Sequence, residues 1–182
     1  ETFIRDTNQC PAHTIGTFAK KDVVEYKEGV MVGYRYYDTE QSEVNFCFGH
    51  GLSYSEFEYK DMEVMRVLSD KAGSKKDAAL DAECYQVSLT VKNIGSRTAK
   101  EVVQLYVSPK ASKVVRPYHE LRGFEKIELQ PGQEQRVTFI LTKRAFVYYD
   151  EKAAEFVVEE GSYEVQAGAS SRDIRLRQDV EV

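Results

Sequence analysis

The sequence predicts an all-β, two-sheet sandwich preceded by an irregular N-terminal extension. Two observations carry this. Short segments with alternating apolar and polar residues recur from about residue 55 to the end, and turn signals separate them. Helical periodicity fails in almost every window, and no internal repeat suggests a propeller or solenoid.

Taken in order, the first segment is Phe57–Leu68, whose alternation is imperfect: Phe57 and Tyr59, then Val64 and Val67. Ser69–Ala82 is rich in Lys, Asp and Ala and reads as a mobile loop, with a short helix as the alternative. Glu83–Asn93 alternates cleanly, with Tyr85, Val87, Leu89 and Val91 on one face. Asn93-Ile94-Gly95-Ser96 marks a turn. Lys100–Val107 follows with Val103, Leu105 and Val107 inward and Gln104 outward. Ser108–Tyr118, with Pro109 and Pro117, reads as loop.

Glu120–Leu129 carries Leu121, Phe124, Ile127 and Leu129 as its apolar set, and Gln130-Pro131-Gly132 turns the chain. Gln135–Leu141 points Val137, Phe139 and Leu141 inward. Phe146–Asp150 and Glu155–Val158 flank a charged tip. Tyr163, Val165 and Ala167 alternate inward after the turn at Gly161, and Ile174–Val182 reads as a final edge strand. Seven or more such strands, each with one apolar face, make an immunoglobulin/fibronectin type III-like sandwich.

The N-terminal part differs in texture. Residues Glu1–Asp22 show no sustained period and read as loop or as the incomplete edge of something larger. From Val23 to Tyr54 the sequence is aromatic and punctuated by glycine, and EGVMVGYRYYD (Glu28–Asp38) reads as strand-like. The chain begins at Glu1, which predicts a piece processed or cut from a longer protein.

Composition excludes some classes. With 25 Lys+Arg against 30 Asp+Glu the net charge is -5, which argues against nucleic acid and against an anionic membrane surface as partners. No apolar run approaches the roughly 20 residues of a membrane span, and no signal-peptide pattern is visible. Cys10, Cys47 and Cys84 are odd in number and widely spaced, fitting neither a disulfide framework nor a zinc site. They lean toward reduced thiols and a cytoplasmic location.

The residues do not assemble a catalytic motif. His13, His50 and His119 lie far apart without metal-ligand spacing, and no GxSxG elbow occurs. Gly49-His50-Gly51 lacks the third glycine and following helix of a dinucleotide loop. Glu28, Asp38, Glu120 and Asp150 read as solvated strand ends and turns. No catalytic, cofactor-binding or metal-ligating residue is assigned.

The aromatic clusters are more informative. Tyr34, Tyr36 and Tyr37 surround Arg35, and Tyr148 adjoins Tyr149. Such rings either bind sugars or pack at a domain seam. The chain has no Trp, the largest ring for a sugar platform, which favours the seam. Arg35 suits a seam as well, because it stacks on rings or forks a carboxylate.

Five motifs then resemble one family in order along the chain: EGVMVGYRYYD (Glu28–Asp38), FCFGHGLSYSEFEY (Phe46–Tyr59), VKNIGSRTAKEVVQLYVS (Val91–Ser108), ELRGFEKIELQPGQ (Glu120–Gln133) and YEVQAGASSRDIRL (Tyr163–Leu176). Together they resemble the C-terminal part of glycoside hydrolase family 3, which contains β-glucosidases and β-xylosidases. Cys47 departs from that pattern, standing where FPFGHGLSY has Pro.

The resemblance implies a parent enzyme with a barrel domain, an α/β sandwich domain and a C-terminal fibronectin type III-like domain. It implies a retaining mechanism whose nucleophile and acid/base lie outside these residues. Residues 1–54 are then expected to be the tail of the α/β domain and linker, and 55–182 the fibronectin type III-like domain. The expected seam with the rest of the parent is Tyr34, Arg35, Tyr36, Tyr37, Phe48 and His50. The chain alone is expected to be inactive, with its own parent's domains as partners and at most weak carbohydrate contact. A carbohydrate-binding or adhesion sandwich is the alternative.

Overall fold

In the computed structural model, residues 1–14, 22–24, 26–68 and 83–182 are described. The loop-or-helix expectation for Ser69–Ala82 lies outside them. Eleven strands are present among the described residues: β1 (Phe3–Ile4), β2 (Val44–Phe46), β3 (Phe57–Leu68), β4 (Glu83–Asn93), β5 (Ala99–Pro109), β6 (Glu120–Leu129), β7 (Glu134–Thr142), β8 (Val147–Asp150), β9 (Glu155–Val158), β10 (Ser162–Gly168) and β11 (Ile174–Glu181). Two short helices, α1 (Pro11–Thr14) and α2 (Tyr34–Thr39), lie in the extension.

The sandwich is one sheet of order β3-β4-β7 facing another of order β11-β10-β5-β6. Every neighbouring pair in both is antiparallel. The alternating residues decide which faces meet. Val87, Leu89 and Val91 of β4 meet Val103 and Leu105 of β5 and Val165 and Ala167 of β10, all with no exposed surface. Each fully buried Leu or Val contributes roughly 1.5–3 kcal/mol relative to exposure. β11 lies at the edge of its sheet, as expected.

The imperfect alternation of β3 has a local cause. Its register with β4 shifts between Lys60 and Glu63, where Asp61 adopts φ 53°. The extra residue changes which positions face the core, from Phe57 and Tyr59 to Met62 and Val64. A similar shift in the β5–β6 pairing, where Leu105 faces Gly123 but Tyr106 faces Leu121, breaks the alternation of β6. Phe124, opposite Gln104 and out of phase with the buried Ile127 and Leu129, is 66% exposed.

Two buried polar side chains hold the sheets to their loops. Asn93 has no exposed surface; its Nδ2 donates to the carbonyls of Arg97 (2.8 Å) and Leu129 (2.9 Å). Its Oδ1 accepts from Ser55 Oγ (2.7 Å) and Gly95 N (3.0 Å). That full use of the amide satisfies a group that is costly to bury unpaired. Tyr163, at the start of β10, donates its hydroxyl to Glu159 O, four residues upstream, at 2.7 Å. This is the tyrosine corner of immunoglobulin-like sandwiches.

An Arg lies behind that corner. Arg116 Nη1 reaches the Tyr163 hydroxyl and Phe146 O, both at 3.3 Å, and its side chain is only 5% exposed. Glu159 (3.6 Å) and Glu120 (3.5 Å) balance its charge. Ser112 Oγ and Lys113 N also donate to Glu159, and these bonds, with Arg116, hold its carboxyl below the usual range even though burial pushes the other way.

The Tyr163→Phe variant is therefore expected to lose about 1–3 kcal/mol, because Glu159 O loses its buried donor. The midpoint of urea unfolding should fall with an unchanged denaturant dependence.

Candidate functional site: the joint between extension and sandwich

The strand-like expectation for Glu28–Asp38 is corrected here. The chain turns at Gly29 and Gly33, with φ 58° and 62°, and then forms the six-residue helix α2. Tyr34, Tyr37 and Asp38 are spaced i, i+3, i+4, which puts them on one helical face. That face meets the outer side of the β11-β10-β5-β6 sheet, and the contacts it makes there outweigh the strand preference of a Tyr-rich run.

The contacts of α2 are specific. Tyr34 stacks on Phe48 with centroids 4.8 Å apart and meets Tyr106 edge-on at 6.0 Å. Its hydroxyl accepts from Leu121 N at 2.8 Å, at the register shift of β6. Arg35 pairs with Glu120 at 3.2 Å, a carboxylate also held by Arg122 at 2.7 Å. Thr39 Oγ1 accepts from Tyr118 N at 2.8 Å. Tyr37 is buried, and Tyr36 meets it edge-on at 5.3 Å.

Among the expected seam residues, the structure brings Tyr34, Arg35, Tyr37 and Phe48 onto the sandwich of this same chain. The backbone joins in: Ser171 N donates to Phe48 O at 2.9 Å. His50 lies on the exposed side of the loop, with its ring 5.1 Å from that of Phe46. Cys47 Sγ lies 3.3 Å from Ser170 Oγ, so this departure from the family pattern contacts the β10–β11 turn.

The strongest anchors are residues that the motifs alone did not single out. Asp38, expected on a solvated end, has a side chain only 5% exposed. Its Oδ1 accepts from Arg172 Nε at 2.6 Å and its Oδ2 lies 3.3 Å from His119 Nε2. Burial pushes the Asp38 carboxyl up, but the hydrogen bonds from His119 and Arg172 prevail and hold it below the usual carboxylate range. Arg172 also donates to the carbonyls of Tyr37 (3.0 Å) and Ser42 (2.8 Å), capping the extension from the turn after β10.

Gln104 and Gln166, on the outer face of the sheet, are buried as well. Gln104 Nε2 donates to Ala169 O at 2.6 Å, and Tyr106 Oη donates to Gln104 Oε1 at 2.6 Å. Gly49 passes directly over this amide: a Cβ there would lie 2.4 Å from it, and φ is 76°. Only glycine satisfies both conditions. A signal for this second buried face was present in β5, where Val102-Val103-Gln104-Leu105-Tyr106-Val107 is almost continuously apolar, as in strands covered on both sides.

Among the described residues, this joint consists of hydrogen-bonded and paired groups rather than an open constellation of nucleophile, base and cleft. Comparison with known proteins identifies where such a joint occurs. Residues 101–171 match the fibronectin type III-like domain family. The chain is 51% identical over 161 residues to a thermostable β-glucosidase B of Acetivibrio thermocellus, covering 88% of this chain and 20% of that protein. It is 44% identical over 151 residues to an exo-α-(1→6)-L-arabinopyranosidase of Bifidobacterium breve, covering 83% of this chain and 18% of that one. All of this chain superposes on the crystal structure of a Bifidobacterium adolescentis GH3 β-glucosidase, with TM-score 0.86 and 38% identity, covering 25% of that chain.

The chain carries the fibronectin type III-like domain of family 3 β-glucosidases. It spans about a fifth of the length of the curated relatives it matches. In those relatives the matched region is therefore part of a larger chain. The superposition includes the extension, so the family 3 likeness extends to both sides of the joint.

Arg172→Ala is expected to destabilise the chain by about 2–4 kcal/mol. It leaves the Asp38 carboxylate buried with one partner fewer, and part of the effect is reduced by the partial exposure of Arg172. Urea unfolding followed by Tyr fluorescence measures it; a loss below about 0.5 kcal/mol contradicts the role given to this residue.

Proposed function

We propose that this chain is the non-catalytic C-terminal part of a family 3 β-glycosidase, and that it buttresses catalytic domains outside these residues. The carrying observation is the extension. It is clamped to the sandwich by Asp38, Arg172 and Tyr34, yet its other side is unfinished. β1 and β2 pair only Phe3 with Phe46 and Ile4 with Val44, too little for an independent sheet. Large apolar residues in the extension are exposed, among them Val24 (66%), Tyr26 (87%), Leu52 (82%) and Tyr54 (92%). Several large apolar side chains exposed on one short extension fit a region that meets another surface.

In this reading residues 1–54 are the tail of a preceding α/β sandwich domain and its linker, and 55–182 are the fibronectin type III-like domain. The parent hydrolyses β-glucosides or related glycosides with retention, through carboxylates of its barrel and α/β domains. The relatives include an arabinopyranosidase as well as β-glucosidases, so the sugar is set by those other domains. The odd number and wide spacing of Cys10, Cys47 and Cys84 in the sequence support a reducing, cytoplasmic setting.

The aromatic hairpin β8–β9 favours support over sugar binding. Tyr149 and Phe156 meet at 71° with centroids 5.3 Å apart, so their rings do not form a flat platform for a pyranose.

The purified chain should release no aryl aglycone from an aryl β-glucoside above a buffer blank. Turnover that survives further purification would falsify the assignment. The parent enzyme with Arg172→Ala should inactivate at a lower temperature than its wild type, while its KM stays unchanged.

A further inference from the structure

A cleft of about 610 Å³ lies between residues 49–57, the start of β5 and the start of β11. That volume falls in the roughly 300–1,000 Å³ range of small-molecule sites. Glu101 of β5 lines it and is only 7% exposed. It alternates in phase with Val103 and Leu105, so it faces the inner side of the sheet. Tyr59 Oη donates to its Oε1 at 2.8 Å. Among the described residues that is its one hydrogen bond, and Arg175 acts on it through space rather than as an ion-pair partner. A carboxyl this buried is costly to leave half-bonded. Its Oε2 therefore calls for a donor in the cleft. Burial outweighs the Tyr59 hydrogen bond and the charge of Arg175 and pushes the carboxyl above its usual range, as for a group without a paired cation.

The groups beside Glu101 are set before anything binds. Arg175 donates from Nη1 to Phe57 O at 2.6 Å and pairs through Nη2 with Asp173 at 2.8 Å. Its guanidinium lies 4.8 Å from the centre of the Tyr59 ring. Tyr59 is thus fixed both at its hydroxyl and across its face, and it fixes the Glu101 carboxyl in turn. Polar groups held this way need little further ordering to take a ligand.

The charges of the lining select the class of ligand. Glu56, Glu101 and Asp173 are matched by Lys100, Lys126 and Arg175, which gives the cleft no excess of either sign. It offers hydrogen-bond acceptors and donors together. Leu52 and Ile94, 82% and 55% exposed, add apolar surface to the same walls. A neutral compound with several hydroxyls and a C–H face uses all three features at once, whereas a simple cation or anion uses one. The geometry points to a binding site for a neutral polyhydroxy compound, a saccharide or a polyol, with Glu101 Oε2 accepting from one of its hydroxyls. Leu52 stands on the rim between this cleft and the apolar groove lined by Phe3 and Phe46, so the site adjoins the surface assigned to support without depending on that role.

Amide chemical shifts of the isotope-labelled chain, titrated with D-glucose and separately with sorbitol, test this. Glucose should give saturable shifts at Gly51, Val102 and Arg175, in the millimolar range of so small a ligand, and should leave Tyr148 and Tyr149 unmoved. Saturation by glucose alone marks a saccharide site; saturation by sorbitol as well marks a general polyol site. Methylammonium and phosphate serve as cation and anion probes. Glu101→Gln keeps an acceptor for Tyr59 and turns an NH2 group toward the cleft, so its glucose affinity should fall by about tenfold or more. Absence of saturation by both neutral probes overturns the inference, as does tighter binding of methylammonium or phosphate. Unchanged glucose affinity in the variant overturns it too. The wild-type titrations decide the question if the variant does not fold.

Discussion

A carboxylate buried between an arginine and a histidine holds the extension in place. Asp38 sits on a helix of only six residues, far too short to be stable by itself. Arg172, on the turn between β10 and β11, takes one oxygen of Asp38 and two carbonyls of the extension. His119 faces the other oxygen. Removing either partner leaves charge in a site that excludes water, which is why such pairs specify position more firmly than their net energy suggests. The Gly49 passage over Gln104 and the Tyr34–Phe48 stack depend on α2 lying where this pair puts it.

The sandwich beneath supplies rigidity. Its core is formed by the inward-facing residues of β4, β5, β7 and β10, and its polar fastenings, Asn93 and the Tyr163 corner, are fully bonded. A sheet held this way presents a fixed outer face. The extension uses that face as a platform, so an element that cannot fold alone acquires a defined place. For a domain that supports others, this matters: small displacements at a distant reacting centre cost rate.

Much of this was legible in the sequence, and the parts that were not share a cause. The sandwich strands could be placed because each has one buried face and a period of two. Phe57–Leu68 looked irregular because a bulge at Asp61 shifts the alternation. Glu28–Asp38 looked like a strand because its tyrosines favour strands, whereas its helical spacing acts only once a partner surface exists. Gln104 reads as outward and Asp38 as a solvated end, and nothing in the local pattern marks His119 or Gln166 as buried. Each is polar and outward, yet each is covered by a second layer that local patterning does not reveal. The near-continuous apolar run of β5 was the one local sign of that layer. The motif resemblance pointed to the joint region through Tyr34, Arg35 and Phe48, but the distant partner Arg172 becomes visible only in three dimensions.

The central claim is that extension and sandwich behave as one cooperative unit. Native-state hydrogen exchange tests it most directly, by comparing the amides of Tyr37, Glu40 and Ser42 with those of Val87 and Leu89 in β4. The account predicts that α2 opens at a free energy near that of global unfolding, and that Arg172→Ala brings it down toward that of a freely fraying segment. Exchange of the α2 amides at low free energy in the wild-type chain, unaffected by Arg172→Ala, would contradict it.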